Sequence, residues 1–178
     1  MEIKRIDLKH LCIFLRQNHV KKMVEVGSFA GDSTIVFAHF IPEVISVDPY
    51  IDGYDERDLS SNKENLKIAK KIFNLRIQKK ENISHINETS EDASVLFDKR
   101  SLDFVYIDAC HKYDCVKNDI KFWIPKIKPG MFIGGHDFRN PRHPGVTEAI
   151  LEVLGEPRIT FRDTSWIFRI SPTYKGDF

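Results

Sequence analysis

The chain has 178 residues, 42% of them hydrophobic and 30% charged, and its 27 lysines and arginines nearly cancel 26 aspartates and glutamates. This length suits one domain with a full core, and the balanced charge gives no whole-chain electrostatic case for nucleic acid or an anionic membrane. Three cysteines without metal-site spacing argue against a disulfide scaffold and for a cytoplasmic setting, as does the lack of a membrane-length apolar run or a signal-peptide core.

Leu8, Leu11, Cys12 and Leu15 fall at helical spacing and predict an amphipathic flanking helix over about 7–17, with Asp7 placed to cap it. Lys21 to Val26 reads as the first strand. A helix follows from Asp32 or Ser33 to Phe40, apolar on most sides through Ile35, Val36, Phe37 and Phe40, and Pro42 ends it. Val44 to Val47 is too continuously apolar for a half-exposed strand and is expected to be central and parallel.

Pro49 to Asp58 is a turn-rich connection carrying Gly53, Asp52, Asp55, Glu56 and Asp58. Ser60 or Ser61 is then expected to cap a helix with Leu66, Ala69, Ile72 and Phe73 buried and Lys63, Lys67, Lys70 and Lys71 outward. No aromatic residues interleave with these lysines, so they read as a solvated face and not as a nucleic-acid surface. Ile83 to Ile86 is a short third strand, and Thr89-Ser90-Glu91-Asp92 opens a capped helix containing Ala93, Val95, Leu96 and Phe97.

Leu102 to Ile107 is the fourth strand and stops at Asp108. Val116, Ile120, Trp123 and Ile124 form the next helical stripe, closed by Pro125 and a Lys128-Pro129-Gly130 turn. Met131 to Gly135 is the fifth strand and Val146 to Leu154 a helix. Arg158 to Phe161 and Trp166 to Ile170 read as an antiparallel hairpin. Alternating strands and helices of this kind make an α/β doubly wound sheet. Residues 1–178 are expected to form a single domain, with 1–19 as the flanking helix and 20–170 as the core.

The organising stretch is Glu25-Val26-Gly27-Ser28-Phe29-Ala30-Gly31-Asp32-Ser33-Thr34 followed by Val47-Asp48. Gly27 and Gly31 allow a sharp turn and close approach of a ligand to main-chain N–H groups. Asp48, at the tip of the second strand, can accept bonds from two ribose hydroxyls. These motifs, with Tyr106-Ile107-Asp108-Ala109-Cys110-His111 and Lys128-Pro129-Gly130-Met131-Phe132-Ile133-Gly134-Gly135-His136-Asp137-Phe138, resemble the class I S-adenosylmethionine (SAM) dependent methyltransferases. The small-molecule O-methyltransferase branch is the nearest in character.

The resemblance covers residues 20–150 and implies a Rossmann-like seven-stranded sheet of order 3-2-1-4-5-7-6, with strand 7 antiparallel. It further implies that the Gly27-Ser28-Phe29-Ala30-Gly31 turn and Ser33 lie along SAM, that Asp48 holds the ribose, and that Glu25 orients the amino group. Ser90 with Glu91 or Asp92 would flank adenine, although helix capping explains the same residues. Phe29 replaces a glycine that a pyrophosphate would need, which favours SAM over NAD.

A hydroxyl acceptor must lose its proton, and the sequence offers two devices. His111, three residues beyond Asp108, is the candidate general base because imidazole titrates near neutrality. Asp108 and Asp137 could hold Mg²⁺ or another divalent cation, and His136 would shift the choice toward a transition metal. Cys110 and Cys115 read as buried thiols, and Arg139, Arg142 and His143 as either a solvated loop or an anion-binding one. The expected partner is a small-molecule acceptor, without nucleic acid or membrane, in a monomer or homodimer. Rival readings are an NAD-dependent oxidoreductase, an iron-dependent oxygenase-like site at Asp108, His136 and Asp137, and a SAM-binding module without catalysis.

Overall fold

Apolar runs too short for helices and too continuous for half-exposed strands build the centre of the computed structural model, which describes residues 2–55 and 61–173. The strands are β1 (Lys22–Val26), β2 (Glu43–Val47), β3 (Ile83–Ile86), β4 (Leu102–Ile107), β5 (Ile127–Gly135), β6 (Ile159–Thr160) and β7 (Trp166–Arg169). They form one seven-stranded sheet of order β3-β2-β1-β4-β5-β7-β6, the predicted order. β1 to β5 are parallel, and β7 runs antiparallel to both β5 and β6. Order reverses between β1 and β4, so a crevice opens at their carboxyl ends.

The helices are α1 (Glu2–Gln17), α2 (Asp32–Phe40), α3 (Lys63–Ile77), α4 (Ser90–Ser94), α5 (Tyr113–Trp123) and α6 (Pro144–Val153). They divide the core in two. On one face Leu8, Leu11, Cys12 and Leu15 of α1 pack with Phe37, Phe104 and Tyr106. On the other, Val116, Ile120 and Trp123 of α5 and Val146, Ala149 and Ile150 of α6 pack on Val24, Val105 and Ile133. No helix among the described residues is long and apolar enough to cross a membrane.

Several local expectations change. α1 begins at Glu2, so Asp7 lies inside the helix and does not cap it. The cap of α3 is Asn62, whose side chain accepts the Asn65 N–H at 2.9 Å; Ser60, Glu56 and Asp58 lie outside the described residues. Ile72 is exposed, because α3 buries only the narrow stripe Leu66, Ala69 and Phe73. α4 ends at Ser94, short of the expected Phe97.

Lys128-Pro129-Gly130 is not a turn before the fifth strand but part of β5. Ile127 pairs with Leu102 and Phe132 with Phe104, so the residues between them bulge out of register. Gly130 takes φ +84° there, and its N–H donates to the Ile170 carbonyl at 3.0 Å.

Candidate active site

The loop after β1 turns at Gly27 with φ +88°, and a side chain there would place Cβ 2.3 Å from the Asp108 carbonyl oxygen. Glycine therefore lets the ends of β1 and β4 meet. Phe29 is also left-handed, at φ +46°. Its N–H donates to Asp48 Oδ2 at 2.8 Å, and its carbonyl accepts the Tyr50 hydroxyl at 2.7 Å. The second Asp48 oxygen accepts the Tyr50 N–H at 2.9 Å. Each carboxylate oxygen keeps further acceptor capacity beside the cavity. Burial raises the Asp48 pKa, and the backbone N–H donors pull against that rise.

Glu25 is fully buried on β1. Thr34 of α2 donates its hydroxyl to Oε2, while Oε1 is buried with no hydrogen-bond partner among the described residues. Burial pushes the Glu25 carboxyl up to about 7, with Ser33 and Thr34 acting in the opposite direction. Ser28 is buried and its hydroxyl accepts from Ser46 at 2.6 Å.

Gly27, Ser28, Phe29, Ser33 and Asp48 line one cavity of about 800 Å³, within the range of small-molecule sites, whereas Glu25 is fully buried and not part of its wall, so it meets no ligand there directly. The cavity wall also includes Thr89, Ser90 and Glu91. Asp92 is turned into the α4 cap instead, where its carboxylate accepts the Thr89 hydroxyl at 2.7 Å. Trp123 Nε1 donates to Ser90 Oγ at 2.9 Å, and Ser90 in turn bonds Asp119. Asp119 was not expected from sequence. Its signal was an acid at i+3 from Val116 on the buried stripe of α5, and burial pushes it up to about 7.

Across the cavity, the segments after β4 and β5 bring Asp108, His111, His136 and Asp137 together. His111 Nε2 lies 3.0 Å from Asp137 Oδ2 and 3.9 Å from Asp108 Oδ1. His136 Nδ1 lies 3.2 Å from Asp137 Oδ1 and 3.9 Å from Asp108 Oδ1. Asn140 Nδ2 also donates to Asp137, and the His143 ring stacks on His111 at 4.0 Å.

Burial alone would lower both imidazoles. The bonds and charges of Asp108 and Asp137 outweigh it, pushing His111 up to about 10 and His136 up to about 9. Burial disfavours the Asp137 charge as well, yet the two histidines hold its carboxyl far below the usual range. The near-neutral imidazole expected at His111 is thus an imidazolium in the ligand-free protein at pH 7.

Ligand atoms of Asp108, His136 and Asp137 lie within 4.8 Å of one another, as do those of His111, Asp137 and His143. Either set could surround a metal ion. Cys110 and Cys115 are half-buried free thiols in the same wall. Arg142 and His143 border the cavity, whereas Arg139 turns away to Glu156 at 2.9 Å.

A family model described as a methyltransferase domain matches residues 24–138. The uncharacterized protein R132 of Acanthamoeba polyphaga mimivirus is 26% identical over 140 residues, covering 75% of this chain and 59% of that protein. The chain therefore spans less than two thirds of that relative's length. Among solved structures, an O-methyltransferase from Bacillus cereus in complex with S-adenosylhomocysteine (SAH) has a TM-score of 0.65 at 16% identity, over 92% of this chain and 80% of that one. TomG from Streptomyces achromogenes, in complex with SAM, has a TM-score of 0.64 at 15% identity, over 92% and 79%. At this identity the structures are alike in fold.

Proposed function

Because the chain belongs to the methyltransferase domain family, we propose that it transfers a methyl group from SAM to a hydroxyl of a small molecule. One observation carries this reading: a single cavity has the ribose-accepting carboxylate of Asp48 and the glycine turn in its wall together with the Asp108–His111–His136–Asp137 cluster. SAM supplies an electrophilic methyl on a sulfonium.

The chain's own residues bind, orient and deprotonate. Asp48 receives the ribose hydroxyls, and Glu25 braces the turn from beneath through Thr34 and Ser33, the latter lining the cavity. Gly27 leaves room where β1 and β4 converge. His111 takes the acceptor proton at Nε2. In the ligand-free cavity that nitrogen keeps its own proton, but a positive charge beside Asp108 and Asp137 competes for them and lowers the imidazolium pKa. Asp108, His136 and Asp137 fit a divalent cation, which would lower the pKa of the acceptor hydroxyl.

The test is calorimetric titration of SAM and SAH into the protein and its Asp48→Ala variant. Binding in the micromolar range, about −8 kcal/mol, that collapses in the variant is the expected result. Absence of binding to either ligand would overturn the reading.

A second reading draws on the grouping of His111, Asp137 and His143, since two histidines and one carboxylate are the ligand complement of non-haem iron. Retained iron together with turnover that depends on 2-oxoglutarate would favour it.

A further inference from the structure

Helix α3 buries Leu66, Ala69 and Phe73 and turns a second apolar row the other way. Ile68, Ile72 and Leu75 recur at i, i+4 and i+7, so they share one face, and they are 54%, 37% and 73% exposed. The sequence predicts a solvated lysine face with Ile72 buried behind it; the structure instead joins Ile72 to two further exposed apolar side chains. Large apolar groups in a row on an outer surface mark a contact.

Charge says which kind. Between Lys63 and Lys80 the chain carries six lysines and Arg76 against one acid, Glu64, while the whole chain nets only +1. Lys63, Lys67 and Lys71 recur every fourth residue in the row beside the apolar one, and Lys79 and Lys80 stand exposed just past the helix end. The face is also held in place. Arg76 donates to the Ala30 carbonyl at 2.6 Å and pairs with Asp32 at 2.8 Å, while Phe73 packs against Gly31. The pattern is therefore presented on a fixed helix, with no ordering left to occur on contact.

An apolar row edged by lysines, on a helix not apolar enough to cross a bilayer, suits a membrane interface. There the apolar side chains enter the acyl boundary while the lysine stems carry their ammonium groups to anionic headgroups. A second copy of the chain would bring lysine rows of the same sign together, and a nucleic acid would set phosphates against the apolar row. We propose that this face of α3 docks on an anionic lipid bilayer through Ile68, Ile72 and Leu75 with Lys63, Lys67 and Lys71, where the balanced whole-chain charge predicts no membrane partner.

Sedimentation with vesicles tests this. Vesicles of phosphatidylcholine with about 30% phosphatidylserine are expected to carry the protein down, and vesicles of phosphatidylcholine alone to leave it in solution. Lys67→Gln combined with Lys71→Gln should weaken binding about thirtyfold, the attraction of two lysines to the leaflet. Ile68→Gln combined with Leu75→Gln should weaken it about tenfold or more. All four side chains are exposed, and an unchanged Tm verifies that the variants are folded. On the wild-type protein alone, raising salt to about 0.5 M should weaken binding several-fold, independently of any variant.

Absence of binding to the phosphatidylserine vesicles, equal binding to both lipids, or binding unmoved in both double variants would overturn the proposal. A dimer in sedimentation velocity that Ile68→Gln with Leu75→Gln dissociates, without vesicle binding, would assign the row to a second copy and overturn it too. Binding to a duplex oligonucleotide in place of vesicles would do the same.

Discussion

Asp137 gathers three side-chain donors, from His111, His136 and Asn140, while its backbone sits at φ +64°. Its charge is therefore the hub that keeps both imidazoles protonated. Asp137→Asn should lower the His111 pKa from about 10 by more than one pH unit, toward its ordinary value. Proton NMR of the histidine rings across pH 5–11 would show it; an unmoved His111 titration would mean that Asp108 alone sets the charge. Asp108, His111, His136 and Asp137 were legible in sequence because each follows the end of an apolar strand. The hub was not, since which oxygen meets which ring depends on side-chain directions that spacing does not carry. Asp119 was hidden differently, as one polar letter within a helical stripe read for its apolar members.

At the scale of elements, the amino ends of the strands are tied opposite the site. Asp103 Oδ2 accepts the N–H groups of Lys21 and Lys22 at 2.9 and 3.0 Å, and Oδ1 accepts Lys128 Nζ at 2.8 Å. One side chain thus joins β1, β4 and β5. Asp103→Ala leaves two backbone donors unpaired and should cost about 2–3 kcal/mol, lowering Tm by several degrees while SAH affinity stays unchanged. Thermal unfolding and calorimetry on the same sample would check both halves. Element identity was readable because periodicity reports which face is buried. The bulge of β5 was not, because Lys128-Pro129-Gly130 has the composition of a turn and only pairing with β4 keeps it in the sheet.

For the whole molecule, the buried charges set a pH profile. Glu25 and Asp119, raised to about 7, stabilise the fold most below their unfolded values and lose that contribution as pH rises to about 7. His111 and His136, raised to about 10 and about 9, contribute fully below their unfolded value near 6.5 and lose it as pH climbs through the folded values. Asp103 and Asp137, both lowered, contribute above their unfolded values and lose it as pH falls. Stability of the ligand-free protein should therefore peak on the acid side of neutral, near pH 4–6, and decline toward pH 9. Glu25→Gln should flatten the slope between about pH 4.5 and 7 by up to about 1.4 kcal/mol per pH unit. Urea unfolding at stepped pH measures it, and a maximum at pH 8 would contradict the profile. Strand order was legible at this scale through resemblance, since periodicity names strands without ranking their neighbours.

The two rims of the sheet are short, four residues at β3 and two at β6. A rim that brief offers an incoming chain few main-chain groups to zip onto. Fibre growth by strand addition accordingly finds little foothold on either side, and the long central strands that would template it are enclosed by their neighbours.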